Sequence, residues 1–253
     1  MAKSGRADAQ EMLGEVLFRG ANGVPADPPS ACTFFLQASS VRADALHSLA
    51  FCVEKGAGAT PDLARAAQLY REAADKGYPK SMCALGNFYI AGRGVPQDIQ
   101  RGVALCRKGA EAGDPDAQTD LGNLYLPGHA LAQDMVQARY WYEKAAAQGQ
   151  PNAEFVLGQI YWNGDGVKAD RAKAAELWRS AYGHGRADAA PLLGAWAYSS
   201  WMASHARRDV TLLDEAIGWE EAAAKSAPNE KARTDATSAL TIMRTVREAA
   251  SKE

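Results

Sequence analysis

Histidine, cysteine and carboxylates are the side chains from which proteins assemble nucleophiles, proton relays and metal sites. This chain of 253 residues has four His and four Cys. His47, His129, His184 and His205 stand at different phases of the repeat described below. Stacking that repeat therefore does not bring them together, and no catalytic His is assigned. Cys32, Cys52, Cys83 and Cys106 contain no Cys-x-x-Cys pair and have no His at metal-ligand spacing. That pattern speaks against zinc and against a redox motif, and the expectation is four reduced thiols filling a core. No Ser is followed three residues later by Lys, so the acylating motif of penicillin-recognising enzymes is missing. The glycine-rich loops lack the Gly-x-x-x-x-Gly-Lys order of a phosphate cradle. The sequence thus assigns no catalytic residue, no metal and no cofactor.

Lys and Arg number 28 against 30 Asp and Glu, a formal charge of -2. That balance argues against nucleic acid as a partner, because such binding draws on clustered cations. No stretch reaches the ~20 consecutive apolar residues of a membrane-spanning helix. Residues 1–14 interleave Lys3, Arg6, Asp8 and Glu11 with small residues, unlike the apolar region of a secretory signal. The expected location is the cytoplasm. Alanine supplies about a fifth of the chain and β-branched residues are scarce, which favours an all-helical fold.

The elements that position any site come from an internal repeat. Leu13, Leu49, Leu85, Leu121, Leu157 and Leu193 stand 36 residues apart. A Gly follows each except Leu49, which Ala50 follows. Four residues earlier come Ala9, Ala45, Ser81, Ala117, Ala153 and Ala189; four residues later Tyr89, Tyr125 and Tyr161 follow three of the anchors. Intervals of four mark one face of a helix. Gly20, Gly56, Gly92, Gly128 and Gly164 end that helix, and Asp27, Asp62, Asp98, Asp134 and Asp170 are placed to cap the next. The second helix shows a small residue followed by a bulky pair, as in Ala138 with Trp141 and Tyr142, and stops at Gly77, Gly113, Gly149 or Gly185. A single helix pair cannot bury its apolar side, so the pairs must stack. The expected fold is all-α, a right-handed α/α superhelical solenoid of antiparallel helix pairs with a 36-residue period. Residues 1–227 form six pairs, the first and sixth degenerate, and residues 228–253 a C-terminal capping helix. In the sixth, Trp219 and Ala222 to Ala224 imitate the second-helix ending.

These residues resemble the Sel1-like repeat family, relatives of the tetratricopeptide repeats. The Ala, Leu-Gly, Tyr and Asp positions and Trp141-Tyr142-Glu143-Lys144-Ala145-Ala146 carry the likeness, and the Gly-x-Gly-Val loop stands at 92–95 and 164–167. Repeat three departs from it with Cys106 and Gly109 in place of an aromatic residue and Ala. The resemblance implies a non-enzymatic scaffold or adaptor for a protein or peptide. A β-lactamase-like hydrolase, known among secreted cysteine-rich members, and a dedicated inhibitor or immunity protein are the alternatives.

In such a stack the first helices line the concave face. The expected partner-binding residues there are Asn87, Ile90, Thr119, Asn123, Leu126, Phe155, Gln159 and Trp162. Side-chain amides donate and accept, and so can pair with an extended backbone. Trp196, Tyr198, Trp201 and Met202 lie on a helix apolar nearly all round. Burial under the C-terminal segment is the expectation for them, and a homodimer surface through Trp196, Tyr198 and Trp201 the alternative.

Overall fold

The computed structural model describes residues 2–21, 23–126, 130–204 and 210–250. Gly128, His129 and His205 lie outside the described residues. The regular elements are helices: α1 (Ala2–Arg19), α2 (Pro28–Ala38), α3 (Ala43–Lys55), α4 (Leu63–Asp75), α5 (Pro79–Ala91), α6 (Ile99–Glu111), α7 (Pro115–Leu124), α8 (Met135–Ala146), α9 (Pro151–Asn163), α10 (Arg171–Gly183), α11 (Ala190–Ala203), α12 (Thr211–Ser226) and α13 (Glu230–Ala250). Two compact units divide them: Met1–Asp134 holds α1 to α7, and Met135–Glu253 holds α8 to α13.

In repeats one to five, one aspartate stands between the two helices of the pair. Asp27, Asp62, Asp98 and Asp170 accept a hydrogen bond from the N–H three residues on, at 2.9–3.2 Å. The N–H groups of Asp62, Asp98, Asp134 and Asp170 in turn donate to the carbonyls of Val53, Tyr89, Tyr125 and Tyr161, each nine residues back. One residue thereby ties the end of a first helix to the start of a second. Asp27 reaches ten residues back, to Leu17, which accommodates its one-residue delay in the sequence. Helix α3 closes on Gly56 at φ 69° and α9 on Gly164 at φ 81°, a backbone shape that favours glycine. Helix α7 stops at Leu124, three residues earlier in register than α5. Pro127 follows Leu126 there and disfavours helical backbone at the residue before it.

The helices of a pair meet where the residue after the anchor is small. A Cβ placed on Gly14 would stand 2.5 Å from the Phe35 ring, and one on Gly158 would stand 2.4 Å from Trp178 Nε1. The second helices fill this seat at a fixed spacing: Ala31-Phe35-Ala38, Ala66-Tyr70-Ala73, Ala138-Tyr142-Ala145 and Ala174-Trp178-Ala181, all buried. Repeat three makes every member smaller, with Gly102, Cys106 and Gly109. Gly86 and Gly102 then face each other's backbone carbonyls, and the Cα atoms of Cys83 and Cys106 come within 3.9 Å. Its departure from the family pattern is thus a matched set of size reductions.

Successive pairs join through the opposite face. Leu49, Leu85, Leu121, Leu157 and Leu193 are buried, whereas Leu13, on the first described helix, is 42% exposed. Arg71 donates to the hydroxyl of Tyr89, and Arg107 to that of Tyr125, one repeat on (2.8 and 3.0 Å). In the second unit the equivalent position is Glu143, which accepts from the Tyr161 hydroxyl at 3.1 Å. Same-phase positions thus keep the contact while its polarity inverts.

In the last pair, Ala216, Glu220 and Ala223 occupy the seat spacing and are buried. Trp219 therefore stands at the phase of Trp141, and Glu220 at that of the seat residue Tyr142. Helix α13 packs on α12, and its Met243 joins Ala197, Trp201, Leu213 and Ala216 in one cluster. Trp201 is consumed by this core, while Met202 and Ile242 face outward.

The cysteines correct two expectations. Cys32 is bonded to Cys52, linking the second helix of repeat one to the first helix of repeat two. Cys83 is bonded to Cys106, linking the two helices of repeat three. All four thiols are consumed. The sequence reading failed because the partners lie 20 and 23 residues apart, a spacing with no local signature; only helix pairing brings them together. Disulfides form and persist in oxidising compartments, so the cytoplasmic location inferred from the sequence is replaced by an oxidising, extracytoplasmic one. Alkylation of the denatured, unreduced protein should find no free thiol. Replacing either pair with Ala should lower unfolding free energy in urea by ~3 kcal/mol, the value for loops of this length; full alkylation without reductant would contradict the pairing.

Candidate functional site

The first helices of repeats two to four, α3, α5 and α7, line a cavity of about 230 Å³ in the first unit. It is built from repeat phases. Two residues before the anchor come His47 and Cys83, and two after it Phe51 and Asn87; Glu54 stands five after. These are groove positions that the 36-residue register marks in the sequence. Asp116, Asp120, Lys80 and Arg93 complete the wall, and sequence reasoning missed all four. The available signal was the pairing of phases: Lys80 and Asp116 are 36 residues apart, and their side chains meet at 2.7 Å.

Charge in the cavity is internally compensated. Arg93 donates to Glu54 at 3.0 Å, and the Tyr70 hydroxyl donates to the other oxygen of that carboxylate at 3.0 Å. Asn87 donates to Asp120 at 2.8 Å. Burial pushes the Asp120 carboxyl above its ordinary range, against the opposing hydrogen bond from Asn87. Burial would lower the Lys80 ammonium, but the hydrogen bond and charge of Asp116 raise it overall. His47 lies between the rings of Tyr70 and Tyr78, with Nδ1 2.9 Å from the Ser81 hydroxyl. That Ser–His contact is structural: Ser81 is fully buried at the phase where the other repeats place Ala, so no substrate reaches its oxygen.

The expected site residues separate into two groups. In the first unit Asn87 is half-buried and engaged by Asp120. Thr119 is buried, its hydroxyl donating to the Pro115 carbonyl at 2.8 Å. Ile90 packs over Gly102 inside the pair, Asn123 is half-buried, and Leu126 falls beyond the end of α7. In the second unit, on α9, Gln159 is exposed. Trp162 packs against Trp178 with ring centroids 5.4 Å apart and the rings tilted, beneath Arg171, and Arg186 covers the Phe155 ring. The second unit also holds a buried carboxylate, Glu154, which accepts from Ser180 at 2.6 Å and pairs with His184 Nδ1 at 2.9 Å. Here the carboxylate stands between hydroxyl and imidazole. A nucleophilic triad needs the imidazole in the middle, so this cluster ties α9 to α10 and does not activate Ser180. Among the described residues no three His, Cys, Asp or Glu side chains stand as a metal-holding group, and no helix is long and apolar enough to cross a membrane.

Burial and the nearby Lys80 charge lower His47 to about 4, against 6.5 ordinarily, while Asp116 and Asp44 work in the opposite sense. A base lowered by folding contributes stability above its unfolded pKa, which is lost as pH falls from about 6.5 toward 4. The loss is up to about 3 kcal/mol. Urea titrations across that window should be steeper in pH for the wild type than for His47→Asn; parallel curves would refute the assignment.

The profile of the Sel1 repeat matches residues 7–40, 43–78, 79–114, 115–150 and 151–185. No curated protein matches significantly. Among solved structures, a protective antigen of uropathogenic Escherichia coli with an SLR fold is 29% identical, with a TM-score of 0.63 over 92% of this chain; the chain spans about half that antigen, 48%. A Sel1 repeat protein of Oxalobacter formigenes is 26% identical, with a TM-score of 0.68 over 87% of this chain and 88% of its own. An immunity protein of Pseudomonas aeruginosa shares the fold at 21% identity, with a TM-score of 0.58 over 95% of this chain and 82% of its own. Five consecutive repeats carrying the seat, the capping aspartate and the glycine stop show that the chain belongs to the Sel1 repeat family.

Proposed function

We propose that the protein is a non-enzymatic binding scaffold of an oxidising compartment, holding an extended segment of a protein partner against its first-helix faces. The observation that carries this reading is the cavity between α3, α5 and α7, where amide, carboxylate and ammonium groups surround the Phe51 ring. Polar groups of both signs suit the alternating donors and acceptors of an extended backbone, and the ring takes an apolar side chain. Asn123, on the next turn of α7, extends the same chemistry within the first unit. One disulfide ties α3 to repeat one and the other ties α5 to α6, so two of the three helices lining the cavity are cross-linked, and a preordered surface loses less entropy on binding.

A narrower second reading is a dedicated inhibitor or immunity protein for one toxin or enzyme. The Pseudomonas protein of similar fold is described as an immunity protein, and an oxidising location suits a partner met outside the cytoplasm. The β-lactamase-like alternative is disfavoured by the order of Ser180, Glu154 and His184 and by the sealing of Ser81.

Peptides selected from a random display library on the folded, oxidised protein should bind this face. Asn87→Ala with Asn123→Ala should weaken them at least tenfold, with thermal melting of the variant confirming the fold. Unchanged affinity in the folded double variant would contradict the reading.

A further inference from the structure

The seat of the sixth repeat is filled differently from the other five. Gly194 stands 36 residues after Gly158, and the group facing it is Glu220, whose Oε1 lies 2.6 Å from where a Cβ on Gly194 would sit. The spacing Ala216-Glu220-Ala223 repeats Ala174-Trp178-Ala181, so a carboxylate occupies the place taken elsewhere by Phe35, Tyr70, Tyr142, Trp178 or the half-cystine Cys106. Glu is much smaller than these rings. Beside it opens a cavity of about 760 Å³ in the second unit, walled by Pro191, Ala223, Ala236 and Ala239.

Glu220 is 6% exposed, and among the described residues no donor or cation reaches it. The charges at the cavity rim already have partners. Arg186 is held by Asp188 at 2.7 Å and by Asn152, and Asp235 accepts from Lys231 at 3.0 Å. Burial alone raises the Glu220 carboxyl above its ordinary range, as it does for a carboxylate whose counter-charge is missing. A buried carboxylate without a partner is strongly unfavourable, and here it borders an apolar space with room for the missing cation and its stem.

From this geometry we infer that the cavity beside Glu220 is a binding site for a protonated primary amine on an aliphatic stem, the ammonium on Glu220 and the methylenes against the alanine and proline walls. The amine is either a free alkylamine or the side chain of a lysine in a partner polypeptide; the chemistry of recognition is the same.

Calorimetric titration of the full-length, oxidised protein with n-butylamine and with Nα-acetyl-lysine N-methylamide tests this, with n-butanol as the uncharged control. The expected result is millimolar or tighter binding of at least one amine and none of butanol. Affinity should rise roughly three- to fourfold per CH₂ from ethylamine to butylamine, and Glu220→Gln should weaken it at least tenfold. Gln keeps the shape and removes the buried charge, so the variant should fold, and its melting curve verifies this. Ala236→Phe, which fills the wall without touching the carboxylate, should also abolish binding. Tighter binding of the lysine derivative assigns the site to a partner's side chain, and tighter binding of the simple amine to a free ligand; both support the proposal. Equal affinity of wild type and Glu220→Gln, or no binding of either amine at 20 mM, would overturn it.

Discussion

The structure depends on one steric constraint: the residue after each anchor leucine must be small enough to admit a side chain from the paired helix. Helices packed through Gly or Ala approach closely, and the interior then has no room for an added methyl group without a shift. Where the first helix offers Gly158, the second supplies Trp178; where it offers Ala50, the second supplies Tyr70. The capping aspartates hold the two helices in the register that lets these groups meet. Each repeat is therefore defined by a pair of sizes and the loop that aligns them, and every departure from the pattern can be read as a change in what fills the seat.

Two departures carry the functional argument. In repeat three the ring is replaced by a half-cystine and its neighbours shrink to glycine, so a covalent bond takes over from ring packing. In repeat six the ring is replaced by Glu220, and among the described residues of the second unit nothing compensates its charge. The first change rigidifies the unit that bears the groove and places the protein in an oxidising environment. The second leaves an apolar space with a charged floor. Scaffold proteins of this kind need no catalytic chemistry to be specific; they need faces held still by packing, with chosen positions released from the packing rule.

The repeat architecture was readable because its signal is self-similarity, which local misassignments cannot hide. The anchors, the glycine stops and the capping aspartates follow from phase, and the burial of Trp201 from a helix that is apolar nearly all round. What phase could not show is contact between residues at different phases. Cys32 and Cys52 face each other only after helices pair, and nothing in their spacing distinguishes a bonded pair from two buried thiols. Lys80 and Asp116 escaped notice because each alone looks like a solvated surface charge. Thr119 sits at a groove phase yet turns its hydroxyl to its own helix, and α7 stops at Leu124, before Leu126. Glu220 follows Trp219 at the phase of Tyr142, but a single carboxylate at that phase carries no sign in the sequence that it is buried.

The dependence of the fold on paired sizes is tested most directly by a double-mutant cycle at the fifth seat. Gly158→Ala alone adds a methyl group against the Trp178 ring and should destabilise by about 1–3 kcal/mol, despite the better helix propensity of alanine. In a Trp178→Tyr background, which recreates the Ala50 and Tyr70 pairing of repeat two, the same substitution should be neutral or stabilising. The coupling energy from urea unfolding should then exceed about 1 kcal/mol. If Gly158→Ala has the same effect in both backgrounds, the two positions are independent and the seat is not the constraint that organises the repeat.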